Sequence, residues 1–398
     1  MTVRSPGGSA SRLRILHCIG SLQIGGEQSY LAQIAGRVDP ERFDQTVAYT
    51  SAGEEASVGL PGHVRTVCVR ERTPGATALS DWRGIAAYMA LVRRESPDVL
   101  TTHSPGLWHL AASTAARLLG TPVVHTIQRP YGNRAFTEDL TIRVPPIRAF
   151  SYAMPTRFVA LGSYYADDQI RRWRIPAERI ALNYIGIDLD AHRVDERLRA
   201  EGRRELGLTH DVAVLGVVAR LVPVKGVDRA LRVLAALVVR LPDVRLVIVG
   251  GGPSEPVLRR MAEDLGLADR VIFTGPRTDT PKLLNAFDAF IQTTHNPLNG
   301  ISSIEAMAAG KPILTVTRRR EDEAMAADTC VDEQNGLFLR IHEIDVTVDR
   351  LAETLRDSEK LAAMGRSSRR LAEQRFDIRR HVAVLEQLYT LLATGAVA

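Results

Sequence analysis

Two fixed cations, Arg220 and Lys225, stand five residues apart in the segment "ARLVPVKG", directly after the apolar run of residues 212–218. A guanidinium and an ammonium on one loop can flank a diphosphate and neutralise the charge that develops on it as it leaves. Taken alone, the pair has a simpler interpretation as two solvated basic residues on a surface loop.

A second segment, "NGISSIEAMAAGKP", combines small residues with a short predicted helix. Free amides at Gly300, Ile301, Ser302 and Ser303, together with the positive end of the helix, would form a seat for phosphate. Glu305 in the first turn could accept hydrogen bonds from ribose hydroxyls. Ser302 and Glu305 also have the spacing of a capping box, which would use Glu305 for helix stability alone, at about 1 kcal/mol. The sequence leaves both interpretations open.

A third segment, "IGGEQ", follows the first apolar run of the chain. Gly25 and Gly26 would let the backbone come close to a ligand, although a simple tight turn explains them equally well. The later run of Gly250, Gly251 and Gly252 lacks the spacing of a dinucleotide-binding fingerprint. It is interpreted as a strand-to-helix turn.

These segments must be held by regular elements, and short apolar runs alternate with helical patterns along almost the whole chain. This rhythm predicts βαβ units and parallel sheet. In such sheets, ligands bind outside the carboxyl ends of the strands, which is where the cationic and glycine-rich segments fall. We expect strands at residues 13–19, 45–49, 63–69, 98–102, 123–127, 158–161, 212–218, 245–249, 271–273, 289–293 and 312–316.

The chain of 398 residues exceeds what one hydrophobic core usually supports, so two domains are expected. The predicted fold class is α/β, with two Rossmann-like, doubly wound domains. A polar stretch after "NYIGID" marks a linker with an entry helix. We place an N-terminal domain at residues 1–186, a C-terminal domain at 187–377 and a final helix at 378–398.

The composition, with 45% hydrophobic and 24% charged residues, is that of a soluble globular protein. No stretch approaches the ~20 apolar residues of a membrane-spanning helix. Cys18, Cys68 and Cys330 lie far apart and form no metal-ligand pattern. A cytoplasmic location is therefore expected.

The net charge of +5 predicts affinity for anions such as phosphates, nucleotides or acidic membranes. Nucleic acid is an unfavoured partner, because the basic residues are scattered and no recognition-helix pattern is present. We expect no metal and no other cofactor, since no Asp-x-Asp pair stands at a strand end beside the cationic segment.

Nine segments, in this order, resemble those of retaining glycosyltransferases of the GT-B fold, family four. They span roughly residues 13–314, and "FDIRRHVAVLEQLYTLL" is similar to the family's final helix, which crosses back to the N-terminal domain. The resemblance implies two domains facing each other across a cleft, with a nucleotide sugar bound mainly by the second. The segments are "ILHCIGSLQIGGEQ", "DVLTTHSPG", "TPVVHTIQ", "NYIGID", "VARLVPVKGVDRAL", "RLVIVGGGP", "RVIFTG", "FDAFIQTT" and "GISSIEAMAAGKPIL".

The resemblance assigns roles by position. Arg220 and Lys225 match the pair that binds the donor diphosphate, and with His103 they are the expected catalytic residues. Glu305 matches the second glutamate of the family's Glu-x7-Glu motif, which holds the ribose. Residues 300–303 match the loop beside the donor phosphates and sugar. Gly25 and Gly26 match the glycine loop that faces the donor from the N-terminal domain.

The sequence departs from the family pattern near the donor sugar. Pro297 stands eight residues before Glu305, where the first glutamate of the motif is expected. A proline side chain accepts no hydrogen bond, so Asn296 or Asn299 would have to replace that contact. The segment "RRREDE" at residues 318–323 replaces a glycine-rich turn. These changes predict an altered preference for the donor sugar.

The acceptor site is expected in the N-terminal domain, and Gln128, Arg129 and Arg134 are its candidate residues. Gln128 stands where many family members carry a histidine. The arginines, with others at residues 143–174, would bind an anionic acceptor or touch acidic lipid on the inner face of the membrane. Solvated arginines in an arginine-rich chain explain them equally well.

The expected reaction is transfer of a sugar with retention, from a UDP-sugar in preference to a GDP-sugar, to a saccharide, lipid-linked or small-metabolite acceptor. The resemblance implies front-face attack, with catalysis through the leaving diphosphate. Two alternatives stay open at this point. One is a GT-B relative that epimerises the nucleotide sugar, and the other is a protein that binds a nucleotide sugar or a partner without efficient transfer.

Overall fold

The computed structural model describes residues 12–23, 26–51, 58–69, 82–103, 107–128, 144–295 and 300–395. It divides the chain into two units. The first comprises Met1–Tyr184 with Arg379–Ala398, and the second comprises Ile185–Ile378. The boundaries expected from the sequence, at residues 186/187 and 377/378, lie two residues and one residue from these divisions.

The first unit is built on a parallel sheet. Its described strands pair in the order β3-β2-β1-β4-β5-β6-β7. Every residue of β4 and β5 is buried, as expected for parallel strands that carry helices on both faces. The strands are β1 (Leu13–Ser21), β2 (Phe43–Ser51), β3 (Arg65–Cys68), β4 (Val99–Thr102), β5 (Val123–Ile127), β6 (Arg157–Ala160) and β7 (Ile180–Leu182).

The described helices of this unit follow its strands, except the last, which returns from the far end of the chain. They are α1 (Gly26–Ala35), α2 (Trp82–Glu95), α3 (Leu107–Leu118), α4 (Pro145–Ala153), α5 (Ser163–Trp173) and α14 (Ile378–Thr394). Helix α14 is held by the Tyr30 hydroxyl, 2.8 Å from His381 Nε2, and by Asn183, which donates to the His381 carbonyl at 3.0 Å. The final helix therefore packs within the first unit.

The second unit contains another parallel sheet, with the described strands in the order β10-β9-β8-β11-β12-β13. Strands β11 and β12 are buried at every residue. The strands are β8 (Val214–Val218), β9 (Arg245–Val249), β10 (Val271–Gly275), β11 (Ala289–Gln292), β12 (Ile313–Thr317) and β13 (Gly336–Arg340). Two doubly wound α/β sheets, the predicted fold class, are thus confirmed.

The second unit opens with the expected entry helix, which Asp195 caps by accepting hydrogen bonds from the amides of Arg197 and Leu198. None of the described helices in either unit is long and apolar enough to span a bilayer. The helices of the second unit are α6 (Glu196–Glu205), α7 (Val227–Leu237), α8 (Glu255–Asp264), α9 (Thr280–Ala286), α10 (Ile301–Ala308), α11 (Arg320–Ala326), α12 (Ile344–Arg356) and α13 (Ser358–Arg375).

The strand order reverses once in each sheet. In the first sheet β1 lies between β2 and β4, and in the second β8 lies between β9 and β11. Loops leave the carboxyl ends of the two central strands in opposite directions at such a point, which opens a crevice where ligands bind. The loops after β8 and β11 are the ones that carry the predicted donor residues.

Candidate functional site

Arg220 and Lys225 lie on the loop that joins β8 to α7, at the switch point of the second sheet. Arg220 is exposed and Lys225 is half-buried. Burial lowers the pKa of Lys225, and the positive charge of Arg220 lowers it further. Neither side chain forms an ion pair with a residue in the described ranges. The structure therefore places two cations close together without a counter-ion among the residues that it describes.

The backbone of this loop is fixed by its neighbours. The Thr293 hydroxyl, at the end of β11, donates to the Lys225 carbonyl at 2.7 Å. Gly226 follows with a φ of 59°, and a Cβ there would lie 2.5 Å from the Thr293 carbonyl oxygen. Only glycine fits this left-handed position at such close range. The position of Lys225 is thus set by backbone contacts that do not involve its side chain.

The glycine run after β9 supports the same loop from the other side. The Leu221 amide donates to the Gly251 carbonyl at 2.9 Å. Gly250 has a φ of 132°, and a Cβ there would lie 2.0 Å from the Ala219 carbonyl oxygen. The interpretation of this run as a strand-to-helix turn is confirmed, because it joins β9 to α8. The run also lets the backbone at Ala219, beside Arg220, pack closely against Gly250. Nothing in the local sequence indicates this second role.

Residues 300–303 begin helix α10, and the structure decides the question of the capping box. Gly300 is the N-cap, and no side chain caps the helix. The helix thus begins too early for Ser302 to be its N-cap, so the capping-box interpretation of Ser302 and Glu305 is wrong. The first helical amides, those of Ile301 and Ser302, have no helical acceptor.

The expectation of a free amide at Ser303 needs correction. Its amide donates to the Gly300 carbonyl at 2.9 Å, and its side chain is buried. This bond between residues three positions apart tightens the first turn of the helix and occupies the Ser303 amide. The candidate phosphate seat at the start of α10 therefore consists of fewer amides than the sequence suggested.

Glu305 is directed toward a histidine that the sequence analysis missed. Its Oε1 lies 3.6 Å from Nε2 of His192, which belongs to the short helical turn Asp190–His192. Burial raises the pKa of Glu305, and the charge of His192 opposes that rise. The two residues are 113 positions apart in the sequence, so no local spacing could have revealed the pair.

In the first unit, Gly26 is the first residue of α1, directly beyond β1. A Cβ at Gly26 would meet no heavy atom of the described residues within 4 Å, so no described neighbour requires a glycine there. Its predicted approach to a ligand stays a prediction. Gly25, Arg129 and Arg134 lie outside the described residues, as do Asn296, Pro297 and Asn299. Gln128 is half-buried, and its Nε2 is buried without a hydrogen bond to a described residue.

His103, one of the expected catalytic residues, is buried, and its catalytic role stays a prediction. The side chain is 1% exposed, and its Nε2 lies 2.9 Å from Thr101 Oγ1 and 3.2 Å from His17 Nδ1. Burial, and next the charge of His17, hold the pKa of His103 well below its usual value. His103 is therefore a neutral member of a buried histidine cluster.

Comparisons with known proteins agree with this geometry. The family model described as "Glycosyltransferase Family 4" matches residues 24–191, and the model "Glycosyl transferases group 1" matches residues 199–371. The chain is 34% identical over 395 residues to a GDP-mannose-dependent alpha-(1-6)-phosphatidylinositol monomannoside mannosyltransferase of Mycolicibacterium smegmatis, covering 92% of this chain and 94% of that one. It is 28% identical over 391 residues to a D-inositol 3-phosphate glycosyltransferase of Streptomyces avermitilis, covering 90% and 81%.

The fold is similar to that of Anabaena Alr3699/HepE, crystallised with UDP. The TM-score is 0.78 at 20% identity, over 95% of this chain and 100% of that one. Two doubly wound units of this kind define the GT-B class of glycosyltransferases. The chain belongs to glycosyltransferase family four and is a hexosyltransferase.

Proposed function

We propose that this glycosyltransferase moves a hexose, with retention, from a nucleoside-diphosphate sugar to a saccharide, lipid-linked or small-metabolite acceptor. One observation carries the proposal. Arg220 and Lys225 lie at the switch point of the second sheet without a counter-ion in the described part of the chain, close enough for one charge to shift the pKa of the other. Such a pair is stabilised by a bound dianion.

The neighbouring loop supplies a second wall for the diphosphate. Strands β8 and β11 are hydrogen-bonded neighbours, and adjacent strands lie about 4.8 Å apart. A diphosphate held by Arg220 and Lys225 would therefore lie near the start of α10, where the amides of Ile301 and Ser302 and the positive end of the helix favour a negative charge. Glu305, freed from a capping role, would accept hydrogen bonds from the ribose.

The chemistry follows from where charge develops. As the bond between the sugar and the diphosphate breaks, negative charge grows on the leaving phosphate. Arg220 and Lys225, carried on a loop whose backbone is fixed, would stabilise that charge. The acceptor hydroxyl then attacks the cationic sugar from the side that the diphosphate leaves, and its proton passes to an oxygen of the departing phosphate. This sequence of events gives retention.

For the donor we propose GDP-mannose rather than the UDP-sugar favoured from the sequence alone. The relative in M. smegmatis, at 34% identity, is a GDP-mannose-dependent alpha-(1-6)-phosphatidylinositol monomannoside mannosyltransferase. GDP-mannose carries its sugar in the α configuration, so an α product corresponds to net retention. The HepE structure contains UDP, but at 20% identity its similarity to this chain supports the shared fold and not the choice of nucleotide.

A thermal-shift screen with GDP, UDP and ADP tests the donor assignment. We expect GDP to raise the melting temperature most, because a ligand at 100 times its Kd adds about 2.7 kcal/mol to stability. Product analysis with GDP-mannose then follows, with and without acceptor. A larger shift with UDP would refute the GDP assignment, and a shift with none of the three would refute nucleotide-sugar binding. Nucleotide binding without hydrolysis or transfer would favour the catalytically altered alternative.

We also propose that the first unit associates with anionic lipid through the amino-terminal edge of its sheet. Arg157 and Arg179 directly precede the paired residues Phe158 and Ile180 of β6 and β7, and Arg117 lies in the last turn of α3. Burial lowers the pKa of Arg179, and the charges of Arg117 and Arg157 lower it further. Exposed arginines in the last turn of α5, Arg171 and Arg172, extend the surface. This edge is opposite the loops after β1 and β4, so it would tether the protein rather than bind the acceptor.

Sedimentation with phosphatidylinositol vesicles and with neutral phosphatidylcholine vesicles tests the tether. We expect binding to the anionic vesicles that weakens steeply as salt rises, because exposed charges are screened over about 10 Å at 0.1 M salt. Replacing Arg171 and Arg172 by glutamine should reduce that binding several-fold. Equal binding to both kinds of vesicle, or none to either, would show that the surface does not recognise anionic lipid.

A further inference from the structure

The segment after β12, where the sequence departs from its family, carries an exposed arginine. It lies at the carboxyl edge of the second sheet, as do the loops after β8 and β11. Strand β12 ends at Thr317, and Arg318 is the next residue. The Arg318 side chain is exposed and forms no hydrogen bond or ion pair with a residue in the described ranges. It is therefore a cation that nothing in the described part of its own unit neutralises directly.

A second arginine reaches toward the same strand end from helix α7. Arg229, in the first turn of that helix, is 6% exposed and donates to the Thr293 carbonyl at 3.4 Å. Thr293 directly follows β11, and the pairing of Gln292 with Thr315 brings the ends of β11 and β12 side by side. The guanidinium of Arg229 thus lies at the end of β11, beside the strand end that Arg318 follows.

Electrostatics agree with this proximity. Burial lowers the pKa of Arg229, and the charge of Arg318 lowers it next, while Asp228 and Asp322 act in the opposite direction. Asp322 is buried and already accepts hydrogen bonds from the Arg318 amide at 2.8 Å and from Arg319 Nη2 at 3.3 Å. Its carboxylate holds the backbone of the loop. The charges of Arg229 and Arg318 repel each other, and an anion bound between them would offset that repulsion.

This arginine pair adjoins the proposed diphosphate site without coinciding with it. Thr293 separates the two, because its hydroxyl donates to the Lys225 carbonyl at 2.7 Å while its own carbonyl accepts from Arg229. Arg318 follows β12, which lies one strand beyond β11 and two strands beyond β8. With strands about 4.8 Å apart, the two cation pairs are separated by roughly one or two strand spacings.

We propose that Arg229 and Arg318 form a second oxyanion seat, which binds a carboxylate or phosphate group other than the donor diphosphate. The inference rests on the proposed function, since it takes the diphosphate to occupy the Arg220–Lys225 pair. Planar guanidiniums bind carboxylate and phosphate through two parallel hydrogen bonds. The seat therefore favours an acceptor with an anionic group, either a phosphate or a sugar carboxylate, because mannose, the proposed donor sugar, is neutral.

Binding experiments in saturating GDP isolate this seat, because the nucleotide then fills the diphosphate pair. The phosphate arm compares D-myo-inositol 1-phosphate with myo-inositol, and the carboxylate arm compares glucuronate with glucose. We expect the charged member of one arm to bind about tenfold tighter than its neutral partner. The arm that shows the preference identifies the anionic group.

Arg318→Ala should abolish that preference and change the affinity for GDP less than about twofold, as expected for an exposed residue outside the diphosphate site. Arg320→Ala is the matched control, because it removes the same charge from the exposed start of α11 and should leave the preference intact. A preference absent from both arms, or surviving in Arg318→Ala, would overturn the seat. If Arg318→Ala lost as much affinity for GDP as for the charged ligand, Arg318 would belong to the diphosphate site, and the proposed seat would again be overturned. If GDP itself fails to bind the unaltered protein, the proposed function fails instead.

Discussion

Replacing Lys225 by alanine is expected to lower kcat by about 10²-fold or more while the protein stays folded. The ammonium would stabilise charge that appears on the diphosphate only as the sugar leaves, so its loss raises the barrier to reaction more than it weakens ground-state binding. The loop should keep its shape, because Thr293 and Gly226 fix it through backbone contacts. Steady-state kinetics with the donor found in the thermal-shift screen gives kcat and KM separately.

Lys360→Ala is the matched control for this measurement. Lys360 is a partly exposed lysine of α13 in the same unit, and its ammonium lies 3.3 Å from Glu333. Its removal takes away the same charge far along the chain from the proposed site, and surface pairs of this kind contribute little to stability. We expect wild-type kcat for this variant. Unchanged kcat and unchanged donor affinity in Lys225→Ala would remove the central residue of the proposed mechanism.

Most strands could be predicted because burial on both faces imposes continuous apolar runs. Strand β9, Arg245–Val249, was placed with its observed bounds. Two strands were missed for identifiable reasons. Strand β7 has three residues at the edge of its sheet, with Leu182 45% exposed. Strand β13 begins with Gly336 after Asn335, a pair that indicates a turn. A Cβ at Gly336 would lie 1.9 Å from the Ile313 carbonyl oxygen, so the glycine serves close strand pairing instead.

The candidate site was predictable to the extent that topology alone places it. Parallel strands deliver their following loops to one edge of the sheet, so the loops with Arg220 and Glu305 had to be neighbours once β8 and β11 paired. Contacts that depend on packing between distant segments were not predictable. The approach of His192 to Glu305, the support of the Arg220 loop by Gly250 and the burial of His103 among other histidines all belong to this second kind.

That histidine cluster in the first unit leads to the other prediction with a large effect. His17, His103, His109 and His125 are all at most 2% exposed. Thr101 Oγ1 lies 2.9 Å from both His17 Nδ1 and His103 Nε2. The rings of His109 and His125 lie with their centroids 4.1 Å apart. The partners described for His17 and His103 are each other and the neutral side chains of Thr101 and Gln45. Burial disfavours an added positive charge on any of the four rings.

Each of these histidines should make the first unit sensitive to acid. Burial lowers the pKa of His17 from 6.5 to about 4 and that of His109 to about 3. Below pH 6.5 the unfolded chain takes up protons that the folded unit refuses, so stability is present above pH 6.5 and is lost as the pH falls toward 4. For His17 alone, the full loss amounts to about 3 kcal/mol. The combined loss should exceed that value.

Tryptophan fluorescence can follow this unit separately, because all three tryptophans, Trp82, Trp108 and Trp173, belong to it. We expect the urea midpoint of that signal to fall steadily between pH 7 and pH 5. His109→Asn should flatten the dependence, since it replaces a titrating ring with a neutral side chain, even where it lowers stability at neutral pH. The control is His342→Gln in the second unit, whose side chain is 55% exposed and which should leave the fluorescence midpoint unchanged at every pH. A midpoint that stays constant from pH 7 to pH 5 in the unaltered protein would mean that the cluster accepts protons in the folded state, contrary to the burial seen here.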